Sequence, residues 1–369
     1  MPAAGYDCAR PGTDRTRGTI GVGPHPSGQT VPMATLLYTD ARFGEHDTSA
    51  GHPERPERMD AVARAVETSV VADDLVRLAP RPATVDELAL VHERSYLDAL
   101  ERFCSSGGGH LDPDTVAMGR SWDVARLAAG AGLDAVDRLR AGEADSAFLA
   151  IRPPGHHATP SRAMGFCLLN NVAVAAAALA EAGERVLIVD IDAHHGNGTQ
   201  DAFWDDHRVT YLSVHEHPMY PGTGMVRETG GPNAPGTTVN VPVPAATSGD
   251  VYRRMVDDLV VPVAERMDAT WLLLSTGFDA HRDAPLTDLG LSSGDYHDLT
   301  SRILQTVPAG RRLVFLEGGY DLGAITTSTA ATLAALAGGE HRPEPITTGA
   351  PDALGHQAVG AARRIHELA

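Results

Sequence analysis

The sequence predicts an α/β protein built on a mostly parallel sheet, and three observations carry that expectation. Four apolar runs, Ala147–Ile151, Val186–Val189, the stretch from Trp271 and the stretch from Leu313, are continuous rather than alternating. Strands of that kind are buried on both faces, as in a parallel sheet. Segments with apolar residues at helical spacing, such as Trp122–Leu139, fall between them. Each run also stops at glycine and a reactive side chain, and open α/β sheets bind ligands where their strands end.

In chain order, residues 1–32 are rich in Gly, Pro, Thr and Arg and have no apolar core of a secretory signal. They are expected to form a disordered leader to a single catalytic domain over residues 33–369. A first strand is expected over Met33–Tyr38. Gly51–Met59 reads as a proline-rich loop entering a helix that continues through Ala61 to Thr68. Gly107–Asp114 reads as a loop in which Asp112 or Asp114 either shapes a turn or holds a substrate amide. Helices are expected over Trp122–Leu139 and Val172–Leu179, and long loops over Gly222–Thr238 and His341–Asp352.

Composition excludes several functions. A formal charge of −18 argues against a nucleic-acid surface, which needs clustered basic residues. All 30 basic residues are Arg, a bias without a functional reading. No apolar run reaches the length of a membrane span. Cys8, Cys104 and Cys167 form no disulfide framework and lack zinc-site spacing, which suits a reducing cytoplasm. Cys167 reads as a small buried hydrophobe. Homo-oligomer formation stays open.

The chemistry concentrates where the strands end. Asp192 and His194 follow Val186–Val189 and lie two apart, so in extended backbone they project to one side. One oxygen and one nitrogen donor begin a zinc or iron site, and Asp279 could complete it. Three protein ligands leave a position for water, as in a catalytic site. The pair His156-His157 follows two prolines and a glycine and would handle protons, and the Tyr320 phenol would donate to an oxyanion. This is equipment for metal-assisted amide or ester hydrolysis.

These residues sit in Gly51-His-Pro-Glu-Arg-Pro-Glu-Arg-Met59, Arg152-Pro-Pro-Gly-His-His-Ala158, Gly165-Phe-Cys-Leu-Leu-Asn-Asn171, Asp190-Ile-Asp-Ala-His-His-Gly-Asn-Gly-Thr-Gln200, Gly277-Phe-Asp-Ala280 and Glu317-Gly-Gly-Tyr320. Together they closely resemble the zinc-dependent histone deacetylase superfamily, including its bacterial histone-deacetylase-like and acetylpolyamine amidohydrolase members. The resemblance implies a three-layer α/β/α domain, as in arginases and deacetylases. It implies zinc held by Asp192, His194 and Asp279, with His157 as general base. His157 or His156 would then protonate the leaving amine, and Asp190 would pair with His156. Asn197 stands where class I enzymes carry aspartate, a class II pattern. Tyr320 matches the phenol that polarises the acyl carbonyl.

Gly165, Phe166 and Tyr220 match tunnel walls, and Leu286 matches a rim position that is acidic in a polyamine-preferring relative. The resemblance also implies potassium near Asp190, Asp192, His194, Ser213 and Val214. The activity it implies is deacylation of acetyl-lysine in a peptide or protein. An acetylpolyamine amidohydrolase is the alternative, and a non-catalytic binder of acyl-lysine or a metabolite is a minor one. The single Asp-x-Asp-x-His set and the histidine pair disfavour a two-manganese ureohydrolase.

Overall fold

The computed structural model describes residues 34–350 and 354–368, with Met1 and Pro2. The leader expected over residues 1–32 therefore lies, those two residues apart, outside the described residues. Residues from Pro32 onward form one compact unit.

Ten strands are present among the described residues: β1 (Thr35–Tyr38), β2 (Leu75–Leu78), β3 (Gly108–His110), β4 (Val116–Met118), β5 (Ser146–Leu149), β6 (Val186–Asp190), β7 (Val209–Glu216), β8 (Thr238–Val243), β9 (Trp271–Thr276) and β10 (Arg312–Leu316). Eight form one sheet in the order β2-β1-β5-β10-β9-β6-β7-β8, and every pairing in it is parallel. From β6 the chain moves outward to β8, then returns to fill the centre with β9 and β10. That reversal brings the carboxyl ends of β5, β6, β9 and β10 together, the crevice where such sheets bind ligands.

The continuous apolar runs have a direct explanation. Leu187 and Val189 pack into one hydrophobic cluster, with residues of the helices Ser293–Ile303 and Leu322–Leu336. Val186 and Ile188 point the other way, into a cluster with the helices Ser121–Arg140 and Asn171–Glu181. Side chains alternate across a strand, so a strand covered by helices on both sides must be apolar at every position. The expected three layers are present, and no helix is long and apolar enough to cross a membrane among the described residues.

Some boundaries differ from the sequence expectation. The first long helix spans Glu57–Glu67, beginning before Ala61, because Pro56 fixes the entry and Glu57 and Asp60 favour the positive helix N-terminus. The glycine-rich segment at 107–114 is half of a hairpin, since β3 pairs antiparallel with β4. Gly108 sits at φ 78°, and a Cβ there would lie 2.0 Å from the Ala117 carbonyl oxygen, so the pairing requires glycine.

A buried ionic knot joins this frame to the strand ends. Glu54 accepts from Arg152 Nε at 2.6 Å and from Arg58 Nη1 at 3.0 Å, all three side chains being inaccessible to solvent. Burial disfavours the Glu54 carboxylate, but the Arg152 and Arg58 guanidiniums outweigh it and hold its pKa at about 2. Arg152 also donates to the carbonyls of Phe43 and His46, and Arg58 to those of Glu317 and Gly319. Glu54→Ala leaves two guanidiniums buried without their counter-charge and should cost about 3–5 kcal/mol. Urea unfolding at neutral pH checks this, and an unchanged midpoint would mean the knot contributes nothing.

Candidate active site

β6 ends at Asp190, and the chain leaves the sheet through Asp192 and His194. β9 leads through Gly277 to Asp279. His194 Nδ1 lies 3.0 Å from Asp279 Oδ2 and 3.2 Å from Asp192 Oδ1. The three side chains place donor atoms within 4.8 Å of one another. The two other carboxylate oxygens are fixed by backbone: Gly318 N donates to Asp192 Oδ2 at 2.8 Å, and Ala193 N to Asp279 Oδ1 at 2.9 Å.

The glycines here make room. A Cβ on Gly277 would lie 1.9 Å from Asp192 Oδ2, and one on Gly318 would lie 2.4 Å from Asp279 Oδ2. Any larger residue at either position would displace a carboxylate.

This donor set fits a divalent ion with mixed nitrogen and oxygen preference, such as zinc. Two carboxylates offset its charge, and three protein ligands leave coordination open. Burial works against a charged His194, but Asp192 and Asp279 overcome it and raise the imidazole pKa to about 10. A metal ion held by these three residues would compete with that proton for the imidazole.

The histidine pair follows β5, and its two rings have opposite surroundings. His156 Nδ1 lies 3.0 Å from Asp190 Oδ2, which also accepts from the Tyr211 hydroxyl at 3.0 Å. Burial disfavours its charge, yet Asp192 and Asp190 raise its pKa to about 10. His157 Nδ1 meets the neutral Asn197 Oδ1 at 2.9 Å. Burial, then the positive neighbours His156 and His194, push it well below its ordinary value. Paired groups driven apart in this way are suited to separate proton-handling roles.

Glu317 anchors the pair. Its carboxylate accepts from the backbone nitrogens of Gly155 at 2.7 Å and His156 at 3.2 Å, and from Ser275 Oγ at 3.0 Å. Burial pushes its pKa up to about 7.

In front of His157 and His194 opens a cavity of about 200 Å³, also lined by Asp114, Gly165, Phe166, Met219, Tyr220, Leu286 and Tyr320. Phe166 meets Tyr320 edge-to-face at 5.6 Å, and Tyr220 meets His157 at 5.2 Å. Gly165 cannot carry a side chain, because a Cβ would come within 2.4 Å of the His157 ring. Leu286 and Tyr220 stand at the mouth, 41% and 36% exposed. Tyr320 is buried beneath the Arg58 guanidinium, 5.3 Å from its ring centre, and burial keeps the phenol protonated.

The structure thus gathers His194, His157, Tyr320, Gly165, Phe166, Tyr220 and Leu286 around one cavity and sets Asp192 and Asp279 beside His194. It puts His156, Asp190 and Asn197 behind them. Asp112 accepts from the backbone nitrogens of Asp114 and Thr115 and shapes the turn, while Asp114 reaches the cavity. Ser213, opposite Asp190, and Val214 lie on β7 next to β6. His195 faces away from the cavity, toward Thr223 and Gln200. Cys167 is buried, with its thiol pKa pushed well up by burial, as a small core residue would be.

Sequence reasoning had no role for Glu317, Met219 or His52; Glu317 and His52 meet partners from distant segments. A glutamate ending an otherwise apolar strand was the available signal for Glu317.

Comparison with known proteins agrees with this geometry. Residues 52–336 match the histone deacetylase domain. A Synechocystis protein described as uncharacterized is 39% identical over 309 residues, covering 82% of this chain and 99% of its own. A probable deacetylase of Archaeoglobus fulgidus is 36% identical over 313 residues, covering 83% and 87%. The histone deacetylase-like amidohydrolase of Pseudomonas aeruginosa is 35% identical over 304 residues, covering 81% and 78%. The crystal structure of the HDA15 HD domain aligns with a TM-score of 0.83 at 34% identity, over 90% of this chain and 94% of that one. With the domain matched over most of its length and relatives of 35–39% identity spanning four-fifths of it, the chain belongs to the histone deacetylase family.

Proposed function

We propose that the protein is a zinc-dependent amidohydrolase that removes acetyl or other short acyl groups from lysine side chains. The observation that carries this reading is the cavity itself. Its walls at Phe166, Tyr220 and Leu286 suit an aliphatic chain, and its floor presents His157, His194 and Tyr320 to the chain's end.

Asp192, His194 and Asp279 would hold the zinc, which would supply Lewis acidity toward the acyl carbonyl and lower the pKa of water to roughly 7. His157 is the base. Its Nδ1 is committed to Asn197, which leaves Nε2 to take a proton from the attacking water. The Tyr320 phenol donates a hydrogen bond to the carbonyl oxygen as negative charge gathers there. As the carbon–oxygen bond forms and the carbon–nitrogen bond breaks, His157 returns its proton to the amine nitrogen. The products are a carboxylic acid and a free amine. His156, paired with Asp190 and outside the cavity lining, contributes positive charge. A potassium ion near Asp190, Asp192, His194, Ser213 and Val214 and a cytoplasmic location belong to the same reading.

One observation supports a second substrate. Asp114 is among the residues lining the cavity, and its carboxylate could face the distant ammonium of an acetylated polyamine. Steady-state kcat/KM of zinc-loaded protein on an acetyl-lysine peptide against N-acetylputrescine separates the two. The peptide should be preferred; preference for the polyamine would transfer the assignment. Activity on neither, with metal shown to be bound, would point to another acyl group or a small metabolite.

Two substitutions test the roles. Tyr320→Phe should lower kcat by roughly 10²–10³-fold with zinc content unchanged, as expected for loss of an oxyanion donor. Asp279→Ala should lose bound zinc in metal analysis; full occupancy would show that another residue completes the set.

Asn197→Asp places a carboxylate against His157 and favours its charged form. The base must be neutral, so a raised pKa moves the acid limb of the kcat/KM profile to higher pH, by about one unit. An unmoved limb would show that Asn197 does not tune His157.

A further inference from the structure

Phe166 is the wall residue whose own backbone needs explaining. It sits at φ 66°, in the left-handed region that side-chain-bearing residues avoid. Such a residue persists only where its surroundings hold it. Its backbone nitrogen donates to Thr115 Oγ1 at 3.2 Å, so the loop between β3 and β4 restrains it. Its ring lies between Tyr320 and the half-buried imidazole of His52, 4.8 Å away and edge-on at 74°.

His52 reaches both restraints at once. Its Nε2 lies 3.0 Å from the carbonyl oxygen of Asp114, the residue before Thr115. A carbonyl can only accept, so Nε2 carries the hydrogen. Its Nδ1 faces the Glu54 backbone, 3.1 Å from the nitrogen and 3.0 Å from the carbonyl oxygen. Glu54 is the centre of the buried ionic knot, which gives the imidazole a rigid support. One side chain therefore ties the frame to the Phe166 ring and to the loop that fixes the Phe166 backbone.

We propose that His52 is a positioning residue of the acyl-binding cavity, holding the Phe166 wall and the Asp114–Thr115 loop so that the cavity is formed before substrate arrives. This rests on the deacylase reading above for its kinetic consequence and on geometry alone for its structural one. His52 is absent from the cavity lining and has no part in the proton transfers. Its loss should therefore weaken the grip on the substrate chain and leave the bond-breaking step nearly intact.

The test compares wild type, His52→Ala and His52→Gln as full-length zinc-loaded protein, by acetyl-lysine peptide kinetics and by hydrogen exchange. His52→Ala should raise KM about fivefold or more, with kcat within about twofold of wild type. Backbone exchange should quicken in residues 111–118 and 164–168 and stay unchanged in the central strands. His52→Gln keeps a donor for the Asp114 carbonyl and should recover protection of residues 111–118. Unchanged exchange in both segments, or a fall in kcat at constant KM, would overturn the proposal. If His52→Ala does not fold, His52→Gln against wild type carries the comparison, with protection of 111–118 kept and that of 164–168 lost. If wild type turns over no acylated amine, the deacylase reading fails, and the exchange pattern still decides the role of His52.

Discussion

The constraint on which this structure turns is the burial of negative charge. Asp190, Asp192, Asp279 and Glu317 gather at the ends of neighbouring parallel strands, each wholly inaccessible to solvent. Buried carboxylates are costly unless they are paired and hydrogen-bonded. Backbone nitrogens of Ala193, Gly155 and Gly318 turn toward them, and His156 and His194 supply positive charge. Asp192 and Asp279 share one imidazole, an arrangement that a divalent ion at the same point would balance more fully than a single proton.

From that constraint much of the local sequence follows. Gly277 and Gly318 give the carboxylate oxygens space, and Gly165 gives the His157 ring space. The end of the proline-rich turn, at Gly155 and His156, is held by Glu317 from the end of the neighbouring strand β10. Two adjacent imidazoles acquire opposite tendencies because carboxylates surround one, while burial and the positive charge of its neighbours act on the other. A single dipeptide, His156-His157, thereby supplies both a fixed charge and a neutral base.

The ionic knot of Glu54, Arg58 and Arg152 is the second organising element. It lies behind the cavity and links the segment before the first helix to the ends of β5 and β10. Arg58 touches the Tyr320 ring and the Glu317 and Gly319 carbonyls, and Arg152 begins the turn that carries the histidines. Charges buried this way do less for stability than for fixing one geometry. Here the geometry fixed is that of the phenol, the histidine pair and, through His52, the wall at Phe166.

The sequence by itself determined the α/β class, the parallel strands and the cluster of reactive residues where they end. Those features have local signatures: a strand covered on both faces must be apolar throughout, and residues such as Asp192 and His194 are neighbours in the chain. Family resemblance extended this to Asn197. Tertiary structure alone decided which of Asp112 and Asp114 reaches the cavity, since the difference arises from a hairpin turn. It also decided the work of Glu317, Arg58 and His52, whose partners lie far away in sequence. A buried carboxylate and a solvated one are written with the same letter, and only the packing around them tells the two apart.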